Sequence, residues 1–174
     1  LRQGMFGPEN KGKLIKKTEE GCDISMNLLE NGYLGEEEVK QYPGVTKTVG
    51  IHPVMECTQN IPCNPCQDAC PKKCITIGEN ITSLPAVDPD AQCIGCGMCV
   101  AACSGQAIFL VNEQFEKDYA SVTLPYEFLP LPEKGAEGKA LDRSGTEVCR
   151  AEVVDVKTSD VFDHTNLLTI RVPA

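Results

Sequence analysis

The stretch CIGCGMCVAAC at residues 93–103 places four cysteines within eleven residues, at the spacing C-x2-C-x2-C-x3-C. Thiolates are ligands for soft metals, and the spacing of the thiols selects the kind of site. A structural zinc site normally takes two C-x2-C pairs that are separated by a longer loop. Three thiols at successive x2 intervals, with a fourth after three residues, instead predict a loop that surrounds one corner of a larger metal centre.

A second copy of this pattern lies 33 residues upstream. Residues 63–75, CNPCQDACPKKCI, align with residues 96–108, CGMCVAACSGQAI, and share the C-x2-C-x3-C spacing and the final Ile. The segment between the copies, up to residue 92, predicts a strand, a turn at Glu79-Asn80, a second strand and a loop. Each copy is therefore predicted to form a loop of thiols, a short helical turn and a strand.

The ligand run C-x2-C-x2-C-x3-C, usually followed by Pro, is typical of bacterial [4Fe–4S] proteins. Residues 53–112 carry CNPCQDACP, the hairpin CITIGENITSLPAVD and CIGCGMCVAACSGQAI, and they resemble the bacterial-type two-[4Fe–4S] ferredoxin family. The resemblance implies an α+β dicluster ferredoxin-like core with short strands and helices. It also implies that the last cysteine of each run binds the cluster of the other run.

The resemblance assigns eight ligands. The first cluster would be held by Cys70, Cys93, Cys96 and Cys99, and the second by Cys57, Cys63, Cys66 and Cys103. The chain departs from the family pattern at Asn60, where the repeat requires a cysteine, so we predict Cys57 as the eighth ligand. Two alternatives remain open, ligation by Cys74 and a three-iron [3Fe–4S] cluster. Cys74 aligns with Ala107, so it is also explained as a small buried residue.

The remaining candidate ligands are predicted to bind no metal. Cys22 and Cys149 stand alone in the sequence, and His52 and His164 are the only histidines. The chain has no paired carboxylates, no Ser/His/Asp set and no glycine-rich phosphate loop that rises above chance. We therefore predict no catalytic residues.

The rest of the chain is predicted to form extensions of the core. Residues 1–52 would be a docking arm with two short helices, one from about Asp23 to Gly32 and one over 35–44. Residues 113–136 would be a Pro-rich connector containing LPYEFLPLP. Residues 137–174 would be a small β extension with strands at GKALD, EVCRAEVVDVK and NLLTIRV. So small a sheet is expected to need a neighbour for stability.

The composition narrows the class of function. The net charge of −9 argues against non-specific nucleic-acid binding and favours docking on a positive surface. No apolar run is long enough for a membrane span, and the first residues have no apolar segment of the signal-peptide type. Eleven cysteines, an odd number, fit a disulfide framework poorly, so a reducing cytoplasm is predicted.

Clusters with all corners filled by cysteine leave no open iron for a substrate, so the chain is predicted to transfer single electrons and not to be catalytic by itself. The phrases IPCNPCQDACP and LPYEFLPLPEKG resemble small dicluster subunits of FAD-dependent amine, amino-acid or glycerol-type dehydrogenases of anaerobes. This implies a larger, FAD-containing partner, because the chain lacks G-x-G-x-x-G. The alternatives are a free ferredoxin with extensions, a structural zinc or disulfide module, and a catalytic iron–sulfur enzyme with one three-cysteine cluster.

Overall fold

The computed structural model describes residues 26–45 and 49–174, with side chains from residue 28 onward. Its first elements are the helices α1, Met26–Asn31, and α2, Glu36–Val39. Gly32 ends α1 with a φ of 80°, in the left-handed region that favours glycine. Both predicted helices are present, but α2 ends at Val39, earlier than predicted. The predicted start of the first helix near Asp23 lies outside the described residues.

This N-terminal segment is tied to the rest of the molecule by backbone hydrogen bonds. The amide of Met55 donates to the carbonyl of Gly44 at 2.9 Å, and the amide of Val87 donates to the carbonyl of Pro43 at 3.3 Å. A Cβ at Gly44 would lie 2.7 Å from the carbonyl oxygen of Met55, so the close approach of these two backbones requires glycine. The arm therefore packs directly against the cysteine-rich part of the chain.

The cysteine-rich part is built from very short elements. They are β1, His52–Met55; α3, Pro65–Ala69; β2, Ile75–Thr76; β3, Ala86–Val87; and α4, Met98–Ala102. Strands β2 and β3 pair antiparallel, in agreement with the hairpin predicted between the two copies of the repeat. Helices α3 and α4 occupy equivalent positions of the repeat.

The C-terminal part forms longer strands. They are β4, Ile108–Glu116; β5, Tyr119–Tyr126; β6, Glu137–Leu141; β7, Glu147–Lys157; and β8, Asn166–Pro173. Together with β1 they form an antiparallel sheet with the order β1-β4-β5-β8-β7-β6. A 3-10 turn, Asp160–Phe162, lies between β7 and β8.

The predicted connector over 113–136 is wrong in its first half, which β4 and β5 occupy. Pro125 lies in this half, and a proline is disfavoured in a central strand because it lacks the amide that the strand needs for pairing. In the structure Pro125 pairs with Leu167 of β8, whereas the pairing of β5 with β4 ends at Thr123. The proline therefore lies where β5 has a neighbour on one side alone.

The three strands predicted after residue 136 are confirmed as β6, β7 and β8, but they do not form a separate small sheet. They continue the sheet that contains β1 and β4. The predicted boundaries at 52/53 and 112/113 fall inside β1 and β4, so the backbone ladder crosses both. The assignment of residues 53–112 to a ferredoxin-like fold stays a prediction.

One hydrophobic core joins the cysteine-rich part to the sheet. Its most deeply buried side chains are Met55, Cys74, Ile75, Val100, Ile108, Leu110 and Leu167. Phe162 of the 3-10 turn and Leu167 of β8 belong to the same core as Val100 of α4. The sheet thus forms a wall against which the thiol-bearing loops pack.

Candidate metal centres

The two copies of the repeat present their third cysteine, Cys70 or Cys103, in the same way. Cys70 caps α3 with φ −83° and ψ 105°, and Cys103 caps α4 with φ −81° and ψ 101°. The sulfur of Cys70 accepts a hydrogen bond from the amide of Cys74 at 3.3 Å, and that of Cys103 accepts one from the amide of Ala107 at 3.4 Å. The repeat seen in the sequence is therefore a repeat of backbone conformation and of contacts to sulfur.

A first cavity, here called cavity one, is lined by the thiols of Cys70, Cys74, Cys93, Cys96 and Cys99. The thiol of Cys99 interacts electrostatically with Cys70, Cys93 and Cys96. The rest of the lining is apolar except for Lys72 and the backbone of Gly97. The structure therefore brings together the four cysteines predicted for the first cluster and adds Cys74.

A second cavity, cavity two, is lined by the thiols of Cys57, Cys63, Cys66 and Cys103. The Cys66 thiol interacts electrostatically with Cys103, Cys63 and Cys57. These are the four cysteines predicted for the second cluster. Cys103 comes from the second copy of the repeat and lines cavity two, whereas Cys70 and Cys74 come from the first copy and line cavity one, so each cavity takes thiols from both copies.

The position of Cys57 bears on the uncertain eighth ligand. Cys57 lies two residues after the end of β1 and lines cavity two, where the repeat lacks a cysteine at Asn60. The Asn60 side chain instead donates a hydrogen bond to the carbonyl of Thr82 at 3.1 Å. Cys74, the alternative, lines cavity one. The geometry therefore favours Cys57 over Cys74 for cavity two, while the ligand assignment itself stays a prediction.

Backbone amides donate to sulfur in both cavities. In cavity one, the amides of Gly95 and Cys74 donate to the sulfurs of Cys93 and Cys70 at 3.4 and 3.3 Å. In cavity two, the amide of Ala107 donates to the sulfur of Cys103 at 3.4 Å. Hydrogen bonds of this kind stabilise negative charge on sulfur.

The surroundings of the thiols disfavour their deprotonation to thiolates when no metal is bound. Burial, reinforced by neighbouring thiols, raises the pKa of Cys66 to about 11 and the pKa of Cys99 to about 12. The same causes raise the pKa of Cys57 and Cys93. Four thiolates around one cavity repel each other, and bound metal ions of positive charge would reverse that balance.

The donor set fits an iron–sulfur cluster. Sulfur is the ligand atom that Fe–S clusters use, and no carboxylate or imidazole lines either cavity. Within the described ranges, no group of three or more His, Cys, Asp or Glu side chains is placed to hold a single metal ion. The thiols surround two cavities instead, and soft donors, apolar walls and amides aimed at sulfur are the features that such clusters require.

The other candidate ligands lie elsewhere. His52 is buried in β1, where its Nδ1 is 2.9 Å from the carbonyl oxygen of Gly50. Cys149 lies in β7 and His164 follows the 3-10 turn, and neither residue lines cavity one or cavity two. Cys22 lies outside the described residues.

Sequence reasoning missed two supports of the site. The amide of Ile77 donates to Oε1 of Gln67 in α3 at 2.6 Å, which ties the loop after β2 to the helix that carries Cys66. Arg143, in the turn between β6 and β7, binds the carboxylate of Glu56 beside Cys57. The partners are 10 residues apart in the first contact and 87 in the second, and no local pattern signals either contact.

The chain is similar to part of a known reductase. It is 31% identical over 121 residues to a subunit of the selenate reductase of Mesobacillus selenatarsenatis, an alignment that covers 66% of this chain and 38% of that protein. The chain thus spans well under half the length of that relative. No model of a known protein family and no solved structure matches the chain. In the described part of the chain, no helix combines the length and the apolar character needed to span a membrane.

Proposed function

We propose that the chain is an electron-transfer protein that holds two [4Fe–4S] clusters, one in each cavity. The observation that carries this proposal is that each cavity is lined by at least four thiols, and that Cys70 and Cys103 each lie with thiols of the opposite copy of the repeat. The shared backbone of Cys70 and Cys103 and the amides directed at their sulfurs support it. When bound, such clusters accept and release one electron at a time.

The residues of this chain have three tasks in that proposal. Cysteines from both copies hold each cluster, so the two centres depend on each other's loops. Backbone amides stabilise the negative charge on the sulfurs. Buried side chains such as Ile75, Ile108 and Leu110 exclude water on the inner side of the cavities, while the half-exposed Ile61 and Ile94 lie at their outer edges.

We further propose that the chain is a subunit of a larger oxidoreductase and not an enzyme by itself. The similarity to a subunit of a reductase supports membership in such an assembly. The net charge of −9 suits docking on a positive surface of a partner. An FAD-containing dehydrogenase as that partner, and a cytoplasmic location, remain proposals that rest on the sequence.

Iron and sulfide counting on the anaerobically purified chain, with EPR spectra before and after reduction, tests the cluster proposal. We expect about eight iron and eight sulfide per chain, the content of two four-iron clusters, and reduced-cluster signals that interact. About seven iron, with a signal in the oxidised state, would indicate a three-iron centre. Bound zinc without sulfide would refute electron transfer and favour the structural module.

Single substitutions test the ligand sets. Cys96→Ala should lose the iron of one cluster, about half of the total for a two-cluster protein, because Cys96 lines cavity one. Cys149→Ala is the matched control and should keep the full iron content, because Cys149 lies in β7 and not at cavity one. Cys57→Ala should remove the cluster of cavity two or convert it to a three-iron cluster. Full iron content in Cys57→Ala would contradict the choice of Cys57 as eighth ligand.

The free-ferredoxin alternative differs in its behaviour in solution. A free carrier is expected to be a folded monomer that exchanges electrons with several unrelated reductases. A subunit is expected to run at a larger size in its own cell extract, together with flavin absorbance if the partner is the proposed dehydrogenase. Monomeric size in that extract, with the clusters intact, would favour the free carrier.

A further inference from the structure

The four residues after Cys70 and the four after Cys103 have the same backbone and different side chains. Lys73 and Gln106, at equivalent positions, both lie in the left-handed region with φ of 53° and 51°. The amides of the next residues donate to sulfur in both copies, as described above. Because the backbone is the same, side chains that differ between the two copies at these positions act on equivalent places beside the Cys70 and Cys103 sulfurs.

The side chains differ in charge and in hydrogen-bond donors. Residues 71–74 are Pro-Lys-Lys-Cys, whereas residues 104–107 are Ser-Gly-Gln-Ala. The first copy thus brings two cations and a thiol, and the second brings neither. Lysines are charged at neutral pH.

Cys74 supplies a donor inside cavity one. Its side chain is 2% exposed and lines the cavity. Its backbone amide donates to the sulfur of Cys70 at 3.3 Å, and its side chain lines the same cavity as those of Cys70 and Cys93. A thiolate ligand only accepts hydrogen bonds, so the S–H of Cys74 is a donor available to these two sulfurs. Ala107, its counterpart at cavity two, has no donor in its side chain.

Lys72 brings positive charge to cavity one, and Lys73 is its neighbour in the chain. Lys72 lines cavity one, and both Lys72 and Lys73 are exposed. Across the ranges 26–45 and 49–174, neither lysine forms an ion pair with a carboxylate. Their charge is therefore reduced by solvent and salt and not by a neighbouring acid.

We propose that Lys72, Lys73 and Cys74 raise the reduction potential of the cluster in cavity one above that of the cluster in cavity two. The inference rests on the proposed two-cluster function. Reduction adds one negative charge to a cluster, and hydrogen-bond donors and cations near its sulfurs stabilise that charge. A protein that holds a single electron then carries it on the cluster in cavity one, and electron transfer from the cluster in cavity two to the cluster in cavity one is favourable.

Two features of the structure act in the opposite direction. Cys63 of cavity two is exposed, and water near a cluster stabilises its reduced form. Asp88 interacts electrostatically with Cys74 at cavity one. The decisive experiment therefore exchanges residues 72–74 and 105–107 and leaves Cys63 and Asp88 unchanged.

Two reciprocal triple variants make this exchange. The first, Lys72→Gly with Lys73→Gln and Cys74→Ala, gives the first copy the side chains of the second. The second, Gly105→Lys with Gln106→Lys and Ala107→Cys, does the reverse. A Cβ at Gly105 would meet no atom closer than the sulfur of Cys103 at 4.0 Å, so the site accepts a lysine. Cys74→Ala alone separates the thiol from the lysines.

EPR-monitored redox titration of the intact protein measures the result. We expect two reduction steps separated by at least about 59 mV, which is a tenfold preference of one electron for one site. The higher step should belong to the cluster that Cys96→Ala loses. The first triple variant should lower that step, Cys74→Ala should lower it by part of the shift, and the second triple variant should raise the lower step.

A higher step that belongs to cavity two would overturn the inference. So would an unchanged higher step in the first triple variant or in Cys74→Ala at full iron content. If the first triple variant loses iron, the second triple variant provides the test instead. An unchanged lower step in the second triple variant would then refute the proposal. A wild-type chain without iron and sulfide would instead refute the proposed function, so the two failures are distinguishable.

Discussion

The cysteine-rich segment 57–107 and the strands β4–β8 are ordered by different means. The first contains helices of five residues and strands of two, while the second contains strands of up to eleven residues in a continuous antiparallel ladder. Short elements contribute few backbone hydrogen bonds and little cooperative stability. The sheet is stabilised by its own pairing, whereas the thiol loops depend on what their thiols bind and on the core they share with the sheet.

Removal of the metal should give the largest effect and should act on one region more than the other. After chelation under oxidising conditions, we expect amides in 57–107 to lose most of their protection from hydrogen exchange, because the thiols proposed as ligands would lose the metal that cross-links them. Amides of β7 and β8 should keep theirs. Hydrogen exchange followed by mass spectrometry measures both segments in one sample.

Reconstitution with iron and sulfide is the control and should restore protection in 57–107. Equal loss in both regions would show that the sheet is not self-supporting. Unchanged protection in 57–107 would show that the loops need no metal.

Leu167→Ala tests the core that joins the two regions. Leu167 in β8 is 1% exposed and packs in the same core as Val100 of α4. Its truncation should cost about 2–5 kcal/mol, the usual range for a buried leucine. Leu141→Ala, at an exposed leucine of β6, should change stability by no more than about 0.5 kcal/mol. Anaerobic denaturant unfolding followed by circular dichroism measures both, and equal losses would contradict a shared core.

Gly97→Ala probes the same contact from the side of the thiols. Gly97 precedes α4 with a φ of 85°, and a Cβ there would overlap Cδ1 of Leu167 and lie 3.8 Å from Cζ of Phe162. Overpacking should cost about 1–3 kcal/mol, and the left-handed backbone adds roughly 1 kcal/mol. The same unfolding measurement applies. Gly138→Ala is the control, since a Cβ at Gly138 would meet nothing within 4 Å.

The double variant Gly97→Ala with Leu167→Ala sharpens this test. Removal of the Leu167 side chain makes room for the new methyl group, so the combined loss should be smaller than the sum of the single losses. Strict additivity would mean that the strained backbone, and not the contact with β8, determines the cost at Gly97.

The sequence was informative where one local pattern sufficed. The spacing of the cysteines predicted thiol-rich metal centres, and the family resemblance predicted which thiols lie together, including Cys57 in place of a cysteine at position 60. The strands β6, β7 and β8 followed from runs of β-forming residues between turn signals. Neighbouring residues determine the cysteine spacing and these strands, so a single sequence displays them.

The sequence misled where long-range pairing decided the outcome. Pro125 and the prolines after it predicted a connector, but pairing with β8 on one side of β5 tolerates Pro125. The continuity of the sheet could not be predicted for the same reason, because the pairing of β1 with β4 joins residues more than fifty positions apart. No local signal marks which edge of a strand is left open.

The ion pair between Arg143 and Glu56 should show the smallest effect, although it links the two regions directly. Arg143 Nε donates to Glu56 Oε2 at 2.8 Å, and its Nη2 donates to Oε1. The partners lie in the β6–β7 turn and immediately before Cys57, and their side chains are 37% and 21% exposed. Because solvent screens the pair, the coupling free energy should be about 0.2–1 kcal/mol.

A double-mutant cycle with Arg143→Gln and Glu56→Gln measures that coupling, and the coupling should decrease with added salt. The functional consequence is local: release of Glu56 frees the segment that carries Cys57, so cluster loss during exposure to air should accelerate at cavity two before cavity one. Lys139→Gln is the matched control, because it breaks the exposed pair with Glu147 within β6 and β7 and leaves Glu56 untouched. Equal acceleration in both variants would mean that the sheet supports Cys57 through the shared core and not through this contact.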